Sequence, residues 1–128
     1  MAIDWDKYPN FSEAEMACKH TGKCDMKPEF MAILQDIRNE YGKPMKVSSG
    51  YRDVTHPIEA AKDNPGEHTL GTCADIAVHG SDAVFLMKIA LRMGVTRIGI
   101  NQKGPVSSRF LHLGIGGNGL PNPAMWSY

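Results

Sequence analysis

Three side chains that can bind a metal lie far apart in the sequence, and a fold that unites them is strongly constrained. His68 and Asp75 are seven residues apart, and His112 follows much later. His68 precedes a predicted strand, Asp75 lies within it, and His112 belongs to the last predicted strand. If the two strands are neighbours, the three side chains converge on one face of a sheet. Two imidazoles and one carboxylate suit zinc and leave a coordination position for water, as a catalytic zinc site requires.

The length and composition predict one globular domain that spans residues 1–128. A chain of 128 residues can bury a core without disulfides, and 42% hydrophobic with 22% charged residues is typical of such proteins. The apolar stretches are too short to cross a bilayer, and the N-terminal sequence lacks the basic segment and apolar stretch of a secretory signal. We therefore expect a monomer that is made in the cytoplasm and does not insert into membranes.

The charges are unevenly distributed along the chain. All 14 acidic side chains lie at or before Asp82, and only basic ones follow it. A basic last third can favour an anionic substrate. Alternatively, the two parts simply neutralise each other on folding. The few aromatic residues and the absence of a run of basic residues argue against nucleic-acid binding.

The three cysteines do not form a disulfide framework, because their number is odd and no secretory signal is visible. Cys73 lies in an apolar stretch and is expected to pack as a small hydrophobic residue. Cys18 and Cys24 flank a segment that contains His20, so these three residues could bind a second metal. Because a fourth ligand is not evident, a pair of reduced thiols in a loop is the preferred interpretation.

Capping signals and apolar periodicity predict helices that cluster before and between short strands. Ser12 and Glu15 form a capping box at a first helix start. Further helices are predicted at 28–41 and, capped by Ser81, up to Met93. Strands are predicted at 45–49, 73–78, 97–100 and 110–115. Short strands in this order need antiparallel or mixed pairing, so the fold class is α+β: a small sheet with flanking helices.

Two segments are predicted to be irregular. Residues 52–67 are rich in Pro, Asp and Gly and are expected to form a loop with one helical turn at 58–62. The Gly- and Pro-rich tail after Gly116 is also expected to be irregular. It is nevertheless expected to dock on the domain, because three large apolar side chains would be costly to leave in water: Met125, Trp126 and Tyr128.

The sequence around the predicted metal ligands resembles a known family. The segments that carry the resemblance are Ser48-Ser49-Gly50-Tyr51-Arg52 and residues 68–76, 97–100 and 110–112. They resemble the M15 metallopeptidases, which are zinc-dependent D-alanyl-D-alanine carboxypeptidases and endolysin-type peptidases related in fold to the Hedgehog signalling domain. The resemblance covers nearly the whole chain, and the compact form looks most like the small phage-encoded members.

The resemblance implies that His68, Asp75 and His112 hold a zinc ion whose bound water attacks a peptide carbonyl. The substrate would be a stem peptide of peptidoglycan, cut by carboxypeptidase or endopeptidase action. Arg52 would bind a substrate carboxylate through its planar guanidinium, and two hydroxyl groups would assist more weakly: those of Ser49 and Tyr51. The protein would act on the cell wall after release, as a phage lysis enzyme, or would be carried by a virion.

The chain departs from the family pattern near His112. Relatives often place an acid three residues before this ligand or a histidine two before it, and many have an Asp two residues after it. Here those positions hold Arg109, Phe110 and Gly114. Since no acidic side chain follows Asp82, the general base would have to come from the 52–67 loop. Glu67 is the first candidate for this base, followed by two others: Glu59 and Asp53.

These departures leave two other functions open. One is a non-catalytic, zinc-stabilised module that binds peptides or assembles into a larger particle. The other is a catalytic module that cleaves a different amide outside the cell wall.

Overall fold

A computed structural model describes residues 3–62 and 66–128 of the chain. Among these residues, five strands form one mixed sheet in the order β1-β2-β4-β3-β5. The strands β1 to β4 pair antiparallel with their neighbours, whereas β5 runs parallel to β3. The bounds are Lys46–Ser49 for β1, Cys73–Ala77 for β2, Arg97–Asn101 for β3, Phe110–Gly114 for β4 and Ala124–Ser127 for β5.

The helices are short except for two, which pack against each other. The helix bounds are Glu13–Met16 for α1, Pro28–Tyr41 for α2, Pro57–Ala60 for α3 and Gly80–Arg92 for α4, and 3₁₀ turns lie at Trp5–Lys7, Glu67–Leu70 and Val106–Ser108. None of the described helices is long and apolar enough to span a bilayer. The predicted α+β class, with a mixed sheet and flanking helices, is confirmed. The single-domain assignment to residues 1–128 stays a prediction.

Local signals in the sequence explain where α1 and α2 begin and end. The Ser12 hydroxyl accepts from the Glu15 N–H, and the Glu15 carboxylate accepts from the Ser12 N–H, so the predicted capping box is present. Pro28 lies in the first turn of α2, where its missing N–H costs nothing. The helix ends at Gly42, whose φ of 72° is the left-handed conformation that favours glycine.

Strand alternation separates an apolar face of the sheet from a polar one. Successive side chains of a strand point to opposite faces. In β4, Leu111 and Leu113 are buried in the same core as apolar residues of α2 and α4, which leaves His112 on the other face. The same alternation places Asp75 of β2 on the face away from its neighbours Ala74 and Ile76, which lie in the core. The predicted metal ligands therefore lie on the face turned away from the two long helices.

Two predictions about local structure differ from the fold in detail. The helix α4 begins at Gly80 with His79 as its N-cap residue, and no side chain caps it. Ser81 already lies within the first turn, so the predicted cap at Ser81 is wrong. The helical turn predicted at 58–62 begins one residue earlier, at Pro57, where its ring suits a first helical position. Residues 63–65 of the predicted loop, like residues 1–2, lie outside the described residues.

The tail after Gly116 contains the largest difference from the prediction. It was expected to be irregular, but Ala124–Ser127 forms the edge strand β5 beside β3. As an edge strand it buries only one face, so Met125 remains 64% exposed while Trp126 on the other face is half-buried. Docking of the tail is therefore correct for Trp126 and wrong for Met125, while Tyr128 packs its ring against Phe110 and stays 47% exposed.

Candidate metal centre

One transverse row of the sheet brings Asp75 and His112 together. Asp75 of β2 lies directly opposite His112 of β4, and His112 lies opposite Gly99 of β3. The row ends at Ser49 on β1 and at Trp126 on β5. Side chains directly opposite each other on paired strands share a face and have Cβ atoms about 4.5–5.5 Å apart. Pairing of β2 with β4 thus supplies the neighbouring strands that the predicted site requires.

His68 reaches this row from the 3₁₀ turn that precedes β2. The turn ends at Gly71, whose φ is 71°. A Cβ atom there would lie only 1.9 Å from the carbonyl oxygen of Asp25, so the chain can turn into β2 only at a glycine. His68 Nε2 lies 3.4 Å from Asp75 Oδ2, and His112 Nδ1 lies 3.0 Å from Asp75 Oδ1. The three predicted ligands are buried and adjoin one another.

In each imidazole, the ring nitrogen that points away from Asp75 lies next to a hydrogen-bond acceptor. Nδ1 of His68 lies 2.7 Å from the carbonyl oxygen of Gly50, and Nε2 of His112 lies 2.6 Å from Oε1 of Glu67. A proton on each of these nitrogens leaves Nε2 of His68 and Nδ1 of His112 free to bind a metal beside Asp75. Such acceptors behind histidine ligands fix the tautomer and the ring orientation. The residues present therefore fit a divalent metal.

Glu67 is buried and bound on both carboxylate oxygens. Oε1 accepts from Arg97 Nε at 3.0 Å as well as from His112, and Oε2 accepts from the backbone N–H of Gly116 at 2.7 Å. A Cβ atom at Gly114 would lie 2.2 Å from Oε2, so the carboxylate fills the space that a side chain at position 114 would need. These contacts suit a residue that orients His112. The role of Glu67 as general base stays a prediction.

The pKa values of the cluster are set by burial and by the pairing of opposite charges. Burial alone would raise the pKa of Asp75, but hydrogen bonds from His112 and His68 outweigh it and hold this pKa far below its ordinary value. Burial alone would lower the pKa of His112, but Asp75 and Glu67 on either side raise it. Without a metal, the two carboxylates on either side of His112 therefore favour the charged form of its imidazole. A cation bound at Nδ1 of His112 would replace its proton.

Cys73 is a further donor beside the two imidazoles. Donor atoms of His68, Cys73 and His112 lie within 4.8 Å of one another, and all three residues are buried. Cys73 precedes Asp75 by two residues, so both side chains lie on the same face of β2. The sequence interpretation of Cys73 as a small hydrophobic residue missed this proximity, and the spacing from Asp75 was the one signal that could have shown it. Asp75 and Cys73 are therefore alternative third ligands.

The segment around Cys18 does not assemble a second metal group. Within 3–62 and 66–128, no set of side chains with metal-binding spacing includes Cys18, His20 or Cys24. Cys18 and Cys24 are free thiols, as the preferred interpretation of the sequence has them. His20 instead lies near His56, with ring centroids 5.9 Å apart.

A cavity of about 470 Å³ opens over the metal-binding residues, and Arg52 lies in its wall. Arg52 Nη1 donates to Glu59 at 3.1 Å, while Nη2 lies 3.9 Å from Asp75 Oδ2. Glu59 is 1% exposed and also accepts from Lys62 and from the N–H of Gly66, so it fixes the guanidinium in place. Arg52 thus lies beside Asp75, and its role in substrate binding stays a prediction.

The other predicted residues of the site do not line the cavity over the three predicted ligands. Ser49 and Tyr51 line a smaller cavity of about 140 Å³ that Arg52 shares with the larger one. The carboxylate of Asp53 accepts from the N–H and the hydroxyl of Thr55. Glu59 binds Arg52 and Lys62. Neither Asp53 nor Glu59 has a carboxylate placed over the metal ligands, although both remain predicted alternatives for the base.

Aromatic residues of the tail close one side of the site, which the sequence did not indicate. The ring of Trp126 lies 5.0 Å from that of His112, and the Arg97 guanidinium lies over the indole at 4.9 Å. Tyr128 and Phe110 also line the large cavity. The sequence predicted docking of Trp126 and Tyr128 but gave no signal for pairing of β5 with β3.

Comparison with known protein families gives a match. The family model described as Peptidase M15 matches residues 9–114, which include the four strands β1 to β4 and the histidines and aspartate of the site. The match ends before β5. A comparison with curated proteins gives no match.

Proposed function

The chain belongs to the peptidase M15 family, and from this premise we propose that it is a zinc-dependent peptidase acting on peptidoglycan stem peptides. The observation that carries the proposal is the convergence of His68, Asp75 and His112 at the base of the large cavity. Two nitrogens and one oxygen suit zinc, and three protein ligands leave the fourth position that catalysis requires. When bound, zinc would polarise the scissile carbonyl and lower the pKa of a water molecule.

The charges around the cavity support a substrate with free carboxylates. Three basic side chains line it: Arg52, Lys62 and Arg97. Arg97 is paired with Glu67 and Lys62 with Glu59, whereas Arg52 also directs Nη2 toward the metal-binding face. A planar guanidinium can hold a carboxylate through two parallel hydrogen bonds. Stem peptides carry several free carboxylates, and we propose that Arg52 binds one of them beside the scissile bond.

The biological setting is proposed from the resemblance to small phage-encoded members of the family. In that setting the protein would be a monomer that reaches the cell wall after lysis or as part of a virion. The engagement of both Glu67 oxygens favours one alternative, a zinc-stabilised module that binds peptides without cleaving them. Zinc binding is expected of both, so only turnover separates them.

The test is digestion of purified sacculi by the zinc-loaded protein, with and without a chelator. We expect new amino and carboxyl termini that disappear with the chelator and return with zinc. His68→Ala should abolish both zinc binding and release of termini, whereas His79→Ala, which changes an exposed histidine, should affect neither. Stoichiometric zinc without any release of termini would favour the binding module and overturn the peptidase.

A further inference from the structure

We propose that the hydroxyl group of Tyr128 donates a hydrogen bond to the scissile carbonyl oxygen of the substrate as negative charge develops there. The inference rests on the proposed peptidase function but concerns a residue that the family match does not include. Tyr128 follows β5, and the match ends at residue 114. The inference is supported by the position of β5, which lies beside the row of the sheet that contains Asp75 and His112.

Gly99 allows the tail to lie over the sheet next to His112. It faces His112 across one strand pair and Trp126 across the other. A Cβ atom at Gly99 would lie 2.5 Å from Trp126 Nε1 and 2.9 Å from the hydroxyl oxygen of Tyr128. Both aromatic side chains therefore occupy the space above the glycine. Because neighbouring strands are about 4.8 Å apart, the hydroxyl lies roughly one strand away from His112 and on the same face.

The ring of Tyr128 is held by Phe110, and the residue as a whole remains partly exposed. The ring packs against Phe110 with centroids 5.0 Å apart, and the side chain lines the same cavity as His68 and Asp75. Tyr128 is 47% exposed, so a peptide in the cavity can reach it. Burial raises the pKa of the phenol, against an opposing effect of hydrogen bonding with Trp126. The hydroxyl is therefore protonated at neutral pH and can act as a donor.

The proposed hydrogen bond assists a hydrolysis in which Tyr128 keeps its proton. The oxygen of water forms a bond to the carbonyl carbon, and the π electrons of the carbonyl move onto its oxygen. When this oxygen re-forms the double bond, the C–N bond breaks, and the amine leaves with the proton that water has lost. Charge on the carbonyl oxygen exists only between these steps, so a donor aimed at it lowers the barrier without tightening substrate binding.

The test compares Tyr128→Phe with Tyr41→Phe, which removes a hydroxyl from a buried ring at the end of α2, away from the cavity. Removing one such donor typically lowers kcat by about 10²–10³-fold. We expect Tyr128→Phe to lower kcat in this range while KM and zinc affinity stay within about twofold of the parent. Affinity for a phosphinate analogue of the tetrahedral intermediate should fall with kcat, whereas affinity for an uncleaved amide analogue should not. Tyr41→Phe should change none of these quantities.

The outcomes separate this inference from the proposed function. If the parent protein cleaves stem peptides and Tyr128→Phe cleaves them equally fast, the inference is overturned and the peptidase stands. If zinc affinity falls in parallel with kcat, Tyr128 acts through the metal site and the inference is also overturned. If the parent protein cleaves nothing, the proposed function fails. If the parent and Tyr128→Phe then also bind the phosphinate analogue equally well, the Tyr128 hydroxyl does not contact the bound analogue, and the inference is overturned as well. A thermal unfolding midpoint close to that of the parent shows that Tyr128→Phe is folded.

Discussion

Nε2 of His112 lies 2.6 Å from Oε1 of Glu67, although the two residues are 45 positions apart in the chain. The same oxygen accepts from Arg97, so a buried chain of charges runs from the guanidinium through the carboxylate to the imidazole. A carboxylate behind a metal-binding histidine holds the ring in place and increases its basicity. Glu67 adjoins His68 in sequence yet supports the other histidine, which links the 3₁₀ turn before β2 to β4.

Substitution of Glu67 by Gln is expected to weaken zinc binding. The amide keeps the size of the side chain but removes the negative charge that faces His112 and Arg97. Loss of such a partner typically costs about 10–100-fold in metal affinity. Competition with a chelating indicator dye measures the change, and Glu29→Gln on the exposed first turn of α2 is the matched control.

Turnover of the same variant at saturating zinc tests the predicted general base. Loss of a general base typically lowers the rate by about 10²–10⁴-fold. If the zinc-saturated Glu67→Gln protein retains the parent rate, Glu67 orients His112 and is not the base. Zinc affinity equal to that of the parent would instead contradict the orienting role.

Substitution of Gly114 by Ala is expected to act through Glu67. The added methyl group would lie 2.2 Å from Oε2 of Glu67 and must displace the carboxylate from its hydrogen bonds. Zinc affinity should fall by a factor similar to that of Glu67→Gln, and the double variant should be little worse than either one. Such non-additivity is typical of residues that share one network. Additive losses would show that Gly114 acts independently of Glu67.

Local and periodic signals predicted most of the fold. The capping box at Ser12 and the left-handed Gly42 depend on residues close in sequence, so the start of α1 and the bounds of α2 could be predicted. The strand β5 could not be predicted, because its stability depends on pairing with β3, more than 20 residues earlier. A four-residue strand in a Gly- and Pro-rich segment carries too little pattern of its own.

The sequence identified candidate ligands of the site but not the contacts that support them. His68, Asp75 and His112 were identified from side-chain chemistry and from the resemblance, and the pairing of β2 with β4 brings them together. The contacts of Glu67 depend on the 3₁₀ turn, on Arg97 and on the space at Gly114, and these lie in three separate segments. Cys73 was interpreted as a small hydrophobic residue, because a cysteine packed in the core and a buried cysteine beside a metal site both lie in apolar sequence.

Cobalt substitution is expected to show that Asp75, and not Cys73, is the third ligand. Burial raises the pKa of the Cys73 thiol well above its ordinary value, and the charges of Glu67 and Asp75 add to this effect. The pKa of Asp75 is lowered, so this side chain is already an anion at neutral pH. The cobalt protein should therefore lack the intense near-ultraviolet absorption of a thiolate ligand.

Matched variants decide between the two ligands. Cys73→Ala should leave zinc affinity within a few-fold of the parent, whereas Asp75→Asn should lose most of it, because zinc binds carboxylate far better than amide oxygen. Thiolate absorption that disappears in Cys73→Ala would identify Cys73 as the ligand.

The metal-free protein is expected to lose stability as the pH rises above neutrality. The pKa of His112 is raised above its ordinary value of 6.5, so its contribution to stability is complete below 6.5 and is lost as the pH rises through the raised value. The pKa values of Asp75 and Glu67 are lowered from 3.8 and 4.5, so their contributions are complete above 4.5 and are lost as the pH falls through the lowered values. The urea midpoint of the metal-free protein should therefore be higher at about pH 5.5 than at about pH 8.5.

Zinc affinity should change in the opposite direction over this interval, because the metal must displace the proton from Nδ1 of His112. His112→Gln should flatten the urea dependence, whereas His79→Gln should preserve it. A parent midpoint that stays constant between these two pH values would contradict the imidazolium between two carboxylates.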